Sequence, residues 1–463
     1  MNSVCLTCIT DTHLRATLAR GDERCDYCDS QGPTVKVFDL VWACDAVLDS
    51  HFETTHLHPS VTIYERAPAG MDLLETVSYL DFAAPNAEHE SLLEDIVEGL
   101  NSLWWDNDSG VHKHSGDDPL DEPFFRLRSN LGDSLSEVWN NIQLSLQNEA
   151  RYQNPAATKV LHELFGTIHD DRTHAGLPVV LDAGPGTTVA QLYRARSFQE
   201  DAALVEALSH PARLLGTPEP GKGSPGRMNS RGQAAFYGAS TVDVAVHEVR
   251  PPVGAWVATA AFELVRPVKL LDLRRLAEIQ VDHKHSLFNP ITLKLSQRRD
   301  FLRTLVAKLV QPVMPGSAER DYLTTQVIAD FLATHEVEPL DGIIYPTVQK
   351  PGADVRVDFN VVLFHRASRV EGAECPQRGR ASIWEWEDEE SVPRFYPEIW
   401  LAPSHPSDKF LLPPFVTGID IKRPATLVVD LTSIVVEKVR EVAIRRDDWR
   451  VRVHESRVTS GQT

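Results

Sequence analysis

Apolar residues recur at helical spacing through the first third of the chain. Leu93, Ile96, Val97, Leu100 and Leu103 form a stripe that predicts a helix running into Trp104-Trp105. Leu135, Val138, Trp139, Ile142 and Leu146 predict a second helix, with the polar stretch 106–121 as the loop between them. Near residue 190 the period shortens. Leu192-Tyr193-Arg194-Ala195-Arg196 alternates as a strand does, which puts Arg194 and Arg196 on one face. Further strands are expected at 234–237, 256–265, 268–273, 342–347 and 359–364. Helices are expected through Phe301, Leu302, Leu305, Val306 and Leu309, and through Leu323, Val327, Ile328 and Phe331. Strands joined by unequal loops, with the helices clustered, predict an α+β fold rather than a doubly wound sheet. Beyond residue 373, the acidic run 384–390 reads as a solvated segment and the prolines over 393–414 as irregular connection. Short strands at 426–429, 434–439 and 449–453 are expected to pack as a small appendage.

The stretch from Gly226 to Arg250 organises the rest. A glycine-punctuated loop carries Arg227 and Arg231, the strand 234–237 ends in Tyr237, and a helix follows. Ser240 with Asp243 has the form of a capping box, and Pro251-Pro252 stops the helix. Val242, Ala245, Val246 and Val249 predict its buried face, which leaves Glu248 at the flank, half-buried on a rigid element. Two arginines, a tyrosine and a placed carboxylate point to a site for an anionic ligand.

Composition then narrows the classes. The 463 residues allow two to four domains, and the formal net charge of −20 argues against general binding to nucleic acid or anionic membranes. No apolar run approaches the ~18 residues of a membrane span. The start, Met1 to Cys8, has neither a charged region nor a long apolar core, so the expected location is cytoplasmic. Cys5-x2-Cys8 followed after sixteen residues by Cys25-x2-Cys28 predicts a closed, structural four-thiolate zinc site. Coincidental pairs, a redox pair and disulfides are the alternatives. Cys44 and Cys375 stand alone and read as packing residues. His51, His56 and His58 lack further donors at ligand spacing.

Taken together, Leu192 to Arg196, the Gly226-Arg227-Met228-Asn229…Gly232 loop, Phe236-Tyr237 and His247-Glu248-Val249-Arg250 resemble the RES domain, as do Tyr345-Pro346-Thr347 and Phe359 to Phe364. The resemblance covers roughly residues 185–370. It implies a fold similar to ADP-ribosyltransferases and, by the family's activity, a toxin or defence enzyme that degrades NAD+ by hydrolysis or phosphorolysis. It implies Glu248, Tyr237 and Arg194 as catalytic residues and Arg227, Asn229, Thr347 and Asn360 as substrate-binding ones. Thr347 stands where the family has serine, Met228 stands where an aromatic is common, and the connection from Arg196 to Gly226 is long. The chemistry agrees with these assignments. Arginine forks suit a pyrophosphate, and a carboxylate suits the positive charge that develops on the ribose.

The front half looks like the HEPN/RES amino-terminal region. It lacks the Arg-to-His spacing of HEPN ribonucleases, so it reads as a binding, dimerising or regulatory module. The expected organisation is a zinc module at 1–36, a helical domain at 37–180, a RES domain at 185–372 and an appendage at 373–463. Transfer of ADP-ribose to a protein, and a non-catalytic module binding NAD+ or a partner, remain the alternative readings. A protein antitoxin or regulatory partner and a homo-oligomer stay open.

Overall fold

The computed structural model of this chain describes residues 2–55, 70–85, 89–106, 108, 110–114, 123–128, 133–148, 154–280, 286–311, 318–335, 338–373, 379–385, 393–401 and 423–443. The chain is mixed α and β and divides into two compact units. One is built from residues 1–181 and 269–345, the other from 182–268 and 346–463. The expected strand 449–453, Cys375, His56 and His58 lie outside the described residues.

In the first unit, strands Ser3–Cys5, Gln31–Lys36 and Gly21–Arg24 form a small antiparallel sheet with Gln31–Lys36 in the middle. That central strand runs straight into helix Val37–His51, whose inner face is Val37, Leu40, Val41, Cys44, Val47 and Leu48. Helix His89–Trp104 packs on it through the predicted stripe, with Leu93, Ile96 and Leu100 buried. Gly99 permits the approach, because a Cβ there would stand 2.5 Å from Val41 Cγ2. Cys44 is the packing residue its isolation predicts, and burial pushes its thiol pKa up. The second stripe is helix Asp133–Asn148, with Trp139, Ile142 and Leu146 buried. The later helices, Pro290–Val310 and Ala318–Ala333, also belong to this unit. Arg298 anchors the first of them, forking onto Asp171 at 2.9 and 2.6 Å while its Nε donates to the Leu164 carbonyl. No described helix is long and apolar enough to cross a membrane.

The second unit is built on an antiparallel sheet in the order Leu427–Lys438, Trp256–Leu264, Gln191–Phe198, Phe236–Ala239, Phe359–Leu363. Helix Val242–Val249 covers one face, where Val244 and Ala245 pack with Ala195, Ala239 and Val257. The hairpin of Gly379–Glu385 with Arg394–Leu401 adjoins the same unit. Phe395 stacks on Trp256 at 4.3 Å, and the Asp201 carboxylate accepts from both Trp256 and Trp384.

Three expectations shift here. The tail's apolar stretch is one continuous strand that pairs along Trp256–Leu264, with a bulge between Thr259 and Ala261. It is therefore an integral edge of the sheet, whose β-branched run finds open backbone groups to pair with. The strand before the central helix is Phe236–Ala239, two residues later than the apolar pattern predicts. The helix cap moves from Ser240 to Thr241, whose hydroxyl accepts from Val244 N. Ser240 is used across the sheet instead: its N–H donates to the Phe359 carbonyl and its hydroxyl accepts from Phe359 N. The buried helix face is Val244 and Ala245, and Val242 is exposed.

Candidate active site and metal centre

Five of the seven site residues gather on the sheet face that the central helix covers. Paired residues of neighbouring strands share a face, and Ala239 pairs with both Asn360 and Tyr193. Tyr237, two residues before Ala239, points the same way. The helix brings Glu248 onto this face near its C-terminal end. There the Asn360 side-chain amide donates to Glu248 Oε2 at 3.2 Å. Burial pushes the Glu248 carboxyl above the usual carboxylate range. The Arg227 guanidinium, the Asn360 bond and Arg250 pull it back without cancelling the effect.

The loop before the strand is held by the Tyr237 hydroxyl. That group accepts from Met228 N at 3.0 Å and donates to Asn229 Oδ1 at 2.7 Å. The Asn229 amide in turn donates to the carbonyls of Ser224, Ser230 and Gln233. Gly226 closes the cluster, since a Cβ there would lie 2.5 Å from both Asn229 Oδ1 and the Tyr237 hydroxyl. The buried Met228 backbone is thus fixed by the tyrosine, and Arg227, one residue before it, is held within electrostatic reach of Glu248. Tyr237 and Asn229 are hydrogen-bonded to each other. Their observed work is to shape the loop that presents Arg227.

Arg194 lies elsewhere. Its neighbour Tyr193 shares the helix-covered face, so alternation turns Arg194 and Arg196 to the opposite side of the sheet. There the Arg194 guanidinium sits 5.2 Å from the Phe236 ring centre and donates to the Tyr237 carbonyl at 2.7 Å, while its buried Nε has no partner among the described residues. Burial, and then the like charge of Arg196, lower its pKa to about 9, which leaves it charged at neutral pH. Arg196 donates to the Gly216 carbonyl. The expected grouping of Arg194 with Glu248 is therefore not formed. The strand pattern put the two arginines together correctly, but it holds no information about which face the helix covers.

Thr347, just after Pro346, is buried, and its hydroxyl accepts from Gln349 N at 3.4 Å. One contributor has no signature in the sequence. Lys350 bridges Asp243 on the central helix at 3.0 Å and Asp358 at 2.9 Å, so the loop before strand Phe359–Leu363 is clasped to the helix that carries Glu248. The partners are more than a hundred residues apart at one end, and no local pattern could pair them.

In the first unit, Cys5, Cys8, Cys25 and Cys28 bring their sulfurs within 4.8 Å of one another. Cys5 Sγ stands 3.7 Å from Cys8 Sγ and 3.5 Å from Cys28 Sγ. Thiolates about 2.3 Å from a tetrahedral zinc are separated by roughly 3.8 Å, whereas a disulfide needs about 2.05 Å. The donor set therefore suits a metal ion such as zinc and not a pair of disulfides. Cys5 N also donates to Cys25 Sγ at 3.2 Å, a bond that stabilises a thiolate acceptor. Three of the cysteines are buried and Cys28 is exposed. The Tyr27 hydroxyl, beside this group, donates to the Asp95 carboxylate on helix His89–Trp104.

No curated protein and no solved structure matches this chain. Over residues 191–387, a stretch that contains Arg194, Arg227, Asn229, Tyr237, Glu248, Thr347 and Asn360, the chain matches the RES domain.

Proposed function

We propose that the RES region is an NAD+-consuming enzyme of toxin or defence type, cleaving the bond between nicotinamide and ribose with Glu248 at the chemical centre. The observation that carries this reading is the Glu248 carboxylate, half-buried on a rigid helix, oriented by Asn360 and faced by Arg227. Departure of nicotinamide leaves positive charge on the ribose carbon, as in glycoside hydrolysis. A carboxylate held by a single amide donor keeps lone pairs free for the ribose hydroxyls and stabilises that charge. Water or phosphate then bonds to the carbon as the carbon–nitrogen bond breaks, giving ADP-ribose or its phosphate ester. Arg227 is suited to the pyrophosphate, with Tyr237 and Asn229 acting through the loop they hold. Asn360 is a positioning residue. Thr347 supplies a hydroxyl where the family has serine.

Following nicotinamide release from NAD+ with and without phosphate tests the proposal and separates hydrolysis from phosphorolysis. Loss of NAD+ abolished by Glu248→Gln is expected, because groups in this role contribute about 100-fold or more. Intact NAD+ under every condition overturns it. Transfer of ADP-ribose to a protein is read in the same experiment from labelled protein. The position of Arg194, across the sheet from Glu248, favours one further reading, a RES module that binds NAD+ without turnover. Calorimetric binding with no nicotinamide release is its signature.

We assign the four cysteines a structural zinc, held in a closed site where it serves folding and not chemistry. The HEPN-like reading of the helical front half, as a regulatory or dimerising module in a cytoplasmic protein, is part of the same proposal.

A further inference from the structure

Helix Val37–His51 buries one face and leaves two aromatic side chains exposed on the other. On that outer face Phe38 and Trp42 lie one turn apart, their rings in edge contact at 5.9 Å, with 43% and 50% of their surfaces exposed. Helical spacing places Asp45 and Asp49 on the same side, and Asp39 adjoins it. Two neighbouring exposed aromatics on one helix turn make a small contiguous apolar patch.

The charge around the patch limits what fits it. From residue 37 to 112 the sequence holds fifteen Asp and Glu against a single Arg, so this stretch carries most of the chain's net −20. Glu90, Glu94 and Glu98 are exposed on helix His89–Trp104, which packs directly against Val37–His51 through Gly99 and Val41. The molecule already shows how a cation seats there. Lys113 lays its ammonium between Asp45 at 3.2 Å and Asp49 at 2.7 Å. Asp39, at the other end of the aromatic pair, has no such counter-charge among the described residues.

We propose that the Phe38–Trp42 face docks a basic amphipathic protein segment, one whose apolar side covers the two rings and whose lysines or arginines meet the carboxylates around them. An aromatic pair flanked on its own helix by Asp39, Asp45 and Asp49 matches such a partner in sign and in layout. It also disfavours a second copy of this acidic face by like-charge repulsion. This surface belongs to the first unit and Glu248 to the second.

The test uses the full chain and a dye-labelled helical lysine–leucine peptide, with a glutamate–leucine peptide of the same pattern and oligolysine as controls. The lysine–leucine peptide is expected to bind, the glutamate–leucine peptide not to. Raising salt from about 50 to 500 mM should weaken binding several-fold. Phe38→Ser with Trp42→Ser is expected to weaken it at least tenfold, since buried aromatic anchors dominate such interfaces. Both residues are exposed, so the fold should survive, as thermal melting would show. Asp39→Asn provides a milder second variant with a loss of a few-fold. Equal binding to the double variant overturns the proposal, and so does oligolysine binding as tightly as the amphipathic peptide. A wild-type dimer that the double variant converts to monomer assigns the face to self-association and also overturns it.

Discussion

The Asn360 side-chain amide donates to the Glu248 carboxylate across 3.2 Å, joining a sheet strand to a helix 112 residues earlier in the chain. That bond favours the charged carboxylate and so opposes the burial that raises its pKa. Asn360→Ala is expected to raise the Glu248 pKa further, because it removes a donor to the charged form. The acid limb of the NAD+-cleavage pH profile should then move to higher pH, with the rate at high pH less affected. An unmoved limb would show that the bond does not tune the acid.

Glu248 also links activity to stability. Its carboxyl pKa is raised in the folded state above the ordinary value of about 4.3, so the folded protein binds the proton more tightly than the unfolded chain. Stability therefore falls as pH rises from the unfolded value through the raised folded one, and the full cost is present above both. Glu248→Gln removes this cost. The variant should melt at a higher temperature than wild type at pH 8, and the difference should shrink toward pH 4. Thermal melts across that range check the sign. A variant that is less stable at pH 8 would mean that the carboxylate is well compensated.

The loop that presents Arg227 depends on one hydroxyl at Tyr237 and on the missing Cβ of Gly226. Tyr237→Phe deletes the hydroxyl that bonds Met228 N and Asn229 Oδ1, leaving buried polar groups unpaired at a cost of about 1–3 kcal/mol. Gly226→Ala places a methyl 2.5 Å from the same two oxygens. Both variants should raise the KM for NAD+ more than they lower kcat, since they displace a binding loop and leave Glu248 in place. Steady-state kinetics separate the two parameters. A pure kcat loss in Tyr237→Phe would instead make that hydroxyl catalytic.

Metal removal bears on the first unit. Freshly purified protein is expected to hold about one equivalent of zinc, and chelation should lower the melting temperature, because binding free energy at such sites is folding free energy. Cys25→Ser, at a fully buried ligand, should do the same without added chelator. Less than about half an equivalent by elemental analysis would argue against the site.

Several features were legible before folding because they are local. Two Cys-x2-Cys turns each bring a sulfur pair together by chain geometry alone, and the four do converge. The stripe Leu93 to Leu100 fixes a buried helix face by its period, and that face is buried. The run Phe359 to Leu363 is apolar enough to be a strand wherever it lies. The cap was nearly legible. Ser240 and Thr241 are both good N-caps, and the neighbouring strand decided between them by taking the Ser240 hydroxyl for Phe359 N.

What the sequence by itself determined, then, is which residues share a face of one element, as Arg194 does with Arg196. Only the tertiary structure decided which of those faces the Glu248 helix covers, and it chose the side of Tyr237 and Asn360 and left Arg194 behind the sheet. The physical reason is that period-2 alternation is blind to the direction in which a later element folds back. On the face that was chosen, the small side chains of Ala195 and Ala239 pack with Val244 and Ala245 of the helix.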